Sequence, residues 1–158
     1  MLRLTVMMVA ALGCAAVLTG CGSPQAAPAP VAHPSVLAAP TRIPGGKVGA
    51  AIRAGKRLFA DTALGNGTLS CNSCHADYGT KAKKLSTGAT APSLIGAAAT
   101  FPKVSVRSGQ VVTLEEHIQS CIQNPLGGRH LAANDPKLVD LTAYVTWLSS
   151  GKPVSPGK

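Results

Sequence analysis

Residues 71–75 read Cys71-Asn72-Ser73-Cys74-His75, and no other stretch of the chain restricts its fold so strongly. The pattern C-x-x-C-H reads as c-type haem attachment. Two intervening residues let both thiols reach the two vinyl groups of one porphyrin, and the adjacent histidine then falls under the iron as proximal ligand. Three other chemistries use similar residues. A redox dithiol needs a strand–helix context, which the Gly/Ser/Thr-rich flanks lack. A disulfide across two residues is strained. A zinc site would recruit Cys71, Cys74, Cys121 and His117 or His130, but such sites bring a second close ligand pair, and Cys121 has no cysteine neighbour.

The surrounding periodicity is helical. Residues 47–62, KVGAAIRAGKRLFADT, place Val48, Ala51, Ile52, Gly55, Leu58 and Phe59 on one helical face. Gly55 costs about 1 kcal/mol against alanine inside a helix, which makes sense where another helix crosses closely. Thr113-Leu114-Glu115-Glu116 fits a capping box. It opens a helix with Leu114, His117, Ile118, Cys121 and Ile122 on one face, ended by Asn124-Pro125. Asp135 caps a further helix with Pro136 at its first position. Its core face is Leu138, Leu141, Tyr144, Val145 and Leu148, and Gly151 and Pro153 stop it. Residues 104–112 are the one candidate for a short ribbon. The expected class is therefore all-α, three to four short helices with long loops. That is a thin core for about 105 residues, and one haem would fill it.

The N-terminal part has another character. Residues 1–20 are nearly all apolar after Arg3 and end in Leu18-Thr19-Gly20-Cys21. This resembles a bacterial lipoprotein signal, with Cys21 becoming the lipidated N-terminus. Cys14 matches less well and would leave with the signal, and an uncleaved membrane anchor is the competing reading. Residues 21–46 form a Pro/Ala-rich tether, with His33 in it, expected to be extended and mobile. Residues 152–158 are expected to be a flexible tail. The expected location is periplasmic and membrane-anchored. The formal charge of +9 and an aromatic content of 3% fit no nucleic-acid partner in an exported domain. They fit an anionic small molecule or an acidic protein, or simply a solubilising surface.

Residues 47–151 resemble a class I c-type cytochrome domain. Gly55 and Phe59 match that family's first helix, and Tyr144 and Trp147 lie in the last. The resemblance implies that these two helices cross at Gly55. Ala91-Pro92-Ser93-Leu94-Ile95-Gly96 is similar to the family's Pro-x-Leu-x-Gly segment, which implies that the Pro92 carbonyl accepts the Nδ1 proton of His75 and orients the ring. Ordinary members place methionine on the far side of the iron. Here Met1, Met7 and Met8 are the only methionines, and all lie in the signal. The remaining candidates are Cys121, His117, His130, a lysine, or an open position. Cysteine bookkeeping favours Cys121. Cys14 is removed, Cys21 takes lipid, and Cys71 and Cys74 take haem, so one free thiol is left in an oxidising compartment. A buried inert cysteine is the plainer reading.

A narrower resemblance runs from Phe101 to Trp147. The segment is similar to the N-terminal haem domain of thiosulfate dehydrogenases, in which a cysteine of the helix after the Thr-Leu start binds iron distally. That position is Cys121, and the Gly-Gly-x-x-Leu turn and the AYVTWLS helix match as well. Two departures matter. Those enzymes are typically dihaem whereas this chain has one CxxCH, and His117 stands where arginine is expected. The reading that results is a low-potential monohaem electron carrier with exported cytochromes or other redox proteins as partners. An alternative is an enzyme or subunit joining thiosulfate into tetrathionate, with Cys121 catalytic. Arg107, Arg129, Lys81 and Lys84 are candidate anion binders on charge alone. A haem-based sensor and a zinc-stabilised module are more remote.

Overall fold

The computed structural model describes residues 38–158. The expected signal, Cys14, Cys21, His33 and most of the expected tether lie outside them. Helix α1 spans Gly46–Phe59. It leads through a 3-10 turn, Thr62–Leu64, into a one-turn helix α2, Cys71–Cys74. Two two-residue ribbons follow. Strand β1, Lys83–Lys84, pairs antiparallel with β2, Thr90–Ala91. Strand β3, Lys103–Val104, pairs with β4, Val111–Val112, in the register Lys103 opposite Val112. Helices α3, Leu114–Gln123, and α4, Pro136–Trp147, complete a mostly helical domain with four α-helices and little sheet among the described residues, the class the sequence leads one to expect.

The helix ends form for the reasons visible in their residues. Thr113 Oγ1 accepts from the Glu116 amide at 3.3 Å while Glu116 Oε2 accepts from the Thr113 amide at 2.7 Å, so two end donors are satisfied reciprocally. Asp135 Oδ1 accepts from the Lys137 amide at 2.9 Å. Along α4, Leu138, Leu141, Tyr144 and Val145 are buried, as the spacing predicts. On α1 the buried set is Gly49, Ile52, Gly55 and Phe59. Val48, placed on this face by periodicity, is 65% exposed, because it lies on the flank of a narrow contact stripe.

α1 and α4 cross at Gly55, where a Cβ would collide with the Asp140 carbonyl oxygen and meet Tyr144 Cβ at 2.8 Å. The absent side chain is what lets the two backbones touch. Ile52, Phe59, Leu141, Tyr144 and Leu148 then form a continuous core with Ile122 and Leu126.

Both ends of the domain are more ordered than composition suggests. Trp147 Nε1 donates to the Arg42 carbonyl at 3.2 Å, and Ile43 packs against the core. The last stretch of the expected tether is thus docked on α4. The expected flexible tail is also paired. The Ser155 amide donates to the Ala99 carbonyl at 2.8 Å, and the Gly157 amide donates to Thr100 and Pro102. Backbone groups with partners 55 to 105 residues away leave no local trace in composition.

Gln119 was not singled out by periodicity, yet it is 6% exposed. Its Oε1 accepts from the buried Leu131 amide at 3.0 Å, which hangs the 129–131 loop on α3. Gln119→Leu is expected to lower stability by about 1–3 kcal/mol, because that amide would be buried without a partner. Urea denaturation measures this, and an unchanged midpoint would refute it.

Candidate haem site

Helix α2 holds both thiols of the motif within one turn. Ser70 and Ser73 cap it, with the Ser70 amide donating to Ser73 Oγ at 3.0 Å. The chain then turns sharply at Asp77 and Tyr78, two non-glycine residues with φ of 52° and 53°. Such left-handed backbone needs outside support. Asn72, an interior residue of the motif, supplies it by accepting the Tyr78 amide on Oδ1 at 2.7 Å. Tyr144 supplies the rest by donating its hydroxyl to the Tyr78 carbonyl at 2.7 Å. Burial pushes the Tyr144 phenol up to about 12, so it stays a donor.

His75 Nδ1 lies 2.9 Å from the Pro92 carbonyl oxygen. A carbonyl can only accept, so Nδ1 carries a proton and Nε2 is the ring nitrogen left for a metal. The Pro92 segment is itself fixed. The Leu94 amide donates to the Gly79 carbonyl at 2.7 Å, and Ser93 Oγ donates to the Thr80 carbonyl at 3.0 Å. On the opposite flank, Lys83 Nζ donates to the Ser73 carbonyl at 2.8 Å.

Two adjoining cavities open around this histidine. The smaller, about 50 Å³, is lined by Ser70, Cys71, Cys74, His75, Cys121, Pro125 and Leu126. The larger, about 180 Å³, is walled mainly by Phe59, Leu94, Phe101, Leu114, Ile118 and Val145, with His75, Cys121, His117 and Lys103 also reaching it. Only His75 and Cys121 line both. A larger crevice of about 470 Å³ between α1 and the start of α4 has charged walls, Arg57, Asp61, Lys137 and Asp140, and no cysteine or histidine. It does not suit an apolar macrocycle.

The three described cysteines are free thiols. Burial, followed by the nearby Cys121, pushes the Cys71 thiol up to about 12. Burial also raises Cys121, opposed by the Arg107 guanidinium and assisted by Cys74. Burial holds His117 below its ordinary value, helped by the charges of Lys103 and Arg107. These residues fit a covalent haem: two neighbouring thiols, an oriented imidazole, a second soft donor and an apolar lobe. Among the described residues no three His, Cys, Asp or Glu side chains form a metal cluster, so the zinc alternative has no geometric support.

The remaining sequence candidates sit elsewhere. His130, Arg129, Arg107, Lys81 and Lys84 are exposed and line neither cavity. Lys81 pairs with Asp77 at 3.2 Å. Arg107 alone among these exposed candidates acts on the site, through its charge on Cys121 and His117. Asn72, Lys83 and Lys103 were missed by the sequence reading. The signal for Asn72 was its place inside the motif.

The model of the SoxA/TsdA cytochrome c domain matches residues 54–154. The thiosulfate dehydrogenase of Allochromatium vinosum is 38% identical over 118 residues, covering 71% of this chain and 42% of the relative. That of Stutzerimonas stutzeri is 32% identical over 117 residues, covering 70% and 36%. Among solved structures, the thiosulfate dehydrogenase TsdBA of Marichromatium purpuratum superposes with a TM-score of 0.63 at 27% identity, covering 77% of this chain and 28% of that one. SoxXA of P. pantotrophus superposes at 0.55 and 18% identity, covering 68% and 35%, a likeness of fold alone. The chain spans less than half the length of the relatives it matches.

Proposed function

Since the chain belongs to the SoxA/TsdA cytochrome c domain family, whose domain carries covalently bound haem c, we propose that it is an exported monohaem carrier of single electrons. In this reading Cys71 and Cys74 hold the haem, His75 binds iron on one side and Cys121 on the other. The observation that supports it is the shared lining of the two cavities. His75 and Cys121 are the two residues common to both, so both would reach a group that fills the two. His117 reaches only the larger cavity, and His130 reaches neither.

Haem, held by Cys71 and Cys74 with His75 and Cys121 as iron donors, would supply the one-electron couple, and Cys121 would bind as its thiolate. The chain's own residues do the rest. Pro92 keeps Nδ1 of His75 protonated and strengthens Nε2 as a donor. Phe59, Leu94, Ile118 and Val145 exclude water. The capped α3 holds Cys121 facing the cavities, and Arg107 favours its ionised form. A thiolate stabilises the ferric state more than a thioether does, so this reading gives a low reduction potential.

The named activity of the relatives suggests a sulfur-oxidation setting, with other redox proteins as partners. Joining two thiosulfates releases two electrons, and one haem accepts one. A catalytic role for Cys121 therefore requires a second haem protein or two successive one-electron steps. Lipid attachment at Cys21, with a periplasmic location, belongs to the same proposal. Among the described residues no helix is long and apolar enough to cross a membrane.

Electron paramagnetic resonance on the haem-matured protein tests the ligation. A low-spin ferric signal of the histidine/thiolate type is expected, and a high-spin signal would overturn it. Thiosulfate turnover measured with and without an added second cytochrome separates carrier from enzyme. Turnover by the isolated chain would refute the carrier reading.

A further inference from the structure

We propose that Lys103 is the residue that receives a propionate carboxylate of the haem, with the half-buried His117 beside it as a second donor. The inference rests on the haem reading above and adds the orientation of the group. Haem c has two chemically different edges. Its thioether edge is fixed by the two cysteines, and its two carboxylates lie on the opposite edge.

The two cavities have the same polarity. The smaller contains Cys71 and Cys74 and no lysine or arginine. The larger lies across the His75 and Cys121 boundary, contains neither of those thiols, and is otherwise apolar except for Ser93, His117 and Lys103. A haem fastened in the first must send its carboxylates into the second. An ionised carboxylate in an apolar lobe is costly unless a cation meets it. Of all the side chains lining the two lobes, only Lys103 carries a full positive charge.

Lys103 is placed for this by several independent contacts. Its backbone is paired with Val112. Its ammonium stands 4.6 Å over the Phe101 ring, whose centroid is 5.3 Å from the His117 ring. The C-terminal segment braces the preceding loop through Ser155 and Gly157. Among the described residues no side-chain carboxylate forms a salt bridge with Lys103. A propionate supplies the missing anion by a charge-assisted hydrogen bond. Arg107, at the ribbon tip, is exposed and lines neither lobe. It contributes at a distance.

The test uses the haem-loaded full chain. Lys103→Gln is expected to shift the propionate bending bands of the resonance Raman spectrum and to lower the midpoint potential, with haem stoichiometry retained. Arg107→Gln is expected to lower the potential less and to leave those bands in place. Unmoved bands in Lys103→Gln, or equal effects of the two variants, overturn the proposal. If Lys103→Gln is recovered without haem, Lys103→Arg carries the test. Changing an ammonium donor for a guanidinium must move the bands, and unmoved bands refute the contact. Wild-type protein without covalent haem would sink the haem reading itself, whereas bound haem with unmoved bands sinks only this assignment.

Discussion

Cys121→Met is expected to raise the midpoint potential by on the order of a few tenths of a volt, within the span that axial ligands command. The variant exchanges a charged thiolate for a neutral thioether at one position and leaves the proximal side untouched. Methionine is unbranched and adaptable, and the residues around the smaller cavity, Pro125 and Leu126 among them, are apolar enough to accept it. The sign follows from charge. A thiolate donates negative charge to the ferric state, and removing it favours reduction. Spectroelectrochemical titration at fixed pH reads the effect. A potential equal to that of the wild type would mean that Cys121 does not bind the iron, and the packing role would then be the better account of its half-buried position on α3.

The second large effect concerns the helix crossing. Gly55→Ala is expected to destabilise the domain by about 3 kcal/mol, at the upper end of what overpacking usually costs. The added methyl group would meet the Asp140 carbonyl oxygen, which is backbone and has no rotamer to change, and Tyr144 Cβ at 2.8 Å. Relief therefore requires the helices to separate. That would also loosen the Tyr144 hydroxyl from the Tyr78 carbonyl, the contact supporting the left-handed turn behind His75. For a domain of this size the melting temperature should fall by roughly 10–20 °C. Thermal denaturation of the holoprotein measures it, and a fall of only a degree or two would show that the crossing yields easily.

The two predictions also mark how unevenly the molecule could be read from its residues. The crossing helices were legible because their information is local and repeated. Asp135-Pro136 announces a helix start, and Leu138, Leu141, Tyr144, Val145 and Leu148 keep one period. α3 was legible from Thr113 and Glu116 for the same reason. Gly55 was readable as a close approach because a glycine inside a strong helix needs an explanation. The motif placed His75, and the similarity around Ala91 to Gly96 led to Pro92.

The illegible parts depend on distant partners. Strands β1 and β2 are two residues each and include Lys83 and Lys84, so no alternation marks them. Nothing in the sequence sets Lys103 apart from the other cations, and it is the ribbon that turns it toward Phe101. Gln119 lies between Ile118 and Ser120 on α3, and nothing in the local pattern says that its amide is occupied by residues 129 and 131. Val48 shows the converse error, since its apolar character and spacing fit the buried face while its flank position leaves it in solvent. Arg42 and Ile43 sit in a Pro/Ala-rich stretch whose composition indicates mobility. Their docking is decided by Trp147, more than 100 positions away.

That tryptophan has an optical consequence. It is the only one in the chain, and its ring is stacked on Tyr144 at 5.9 Å and 25°. Tyr144 meets Phe59 at 5.5 Å, and Phe59 stands 6.5 Å from the His75 ring. Haem absorbs at the wavelengths where indole emits, so with haem on His75 the emission of Trp147 is extinguished by energy transfer while α1 and α4 remain crossed. The fold therefore contains its own gauge. One emission band, dark with haem bound and bright once the helices part, would report the separation of α4 from the haem without any added label.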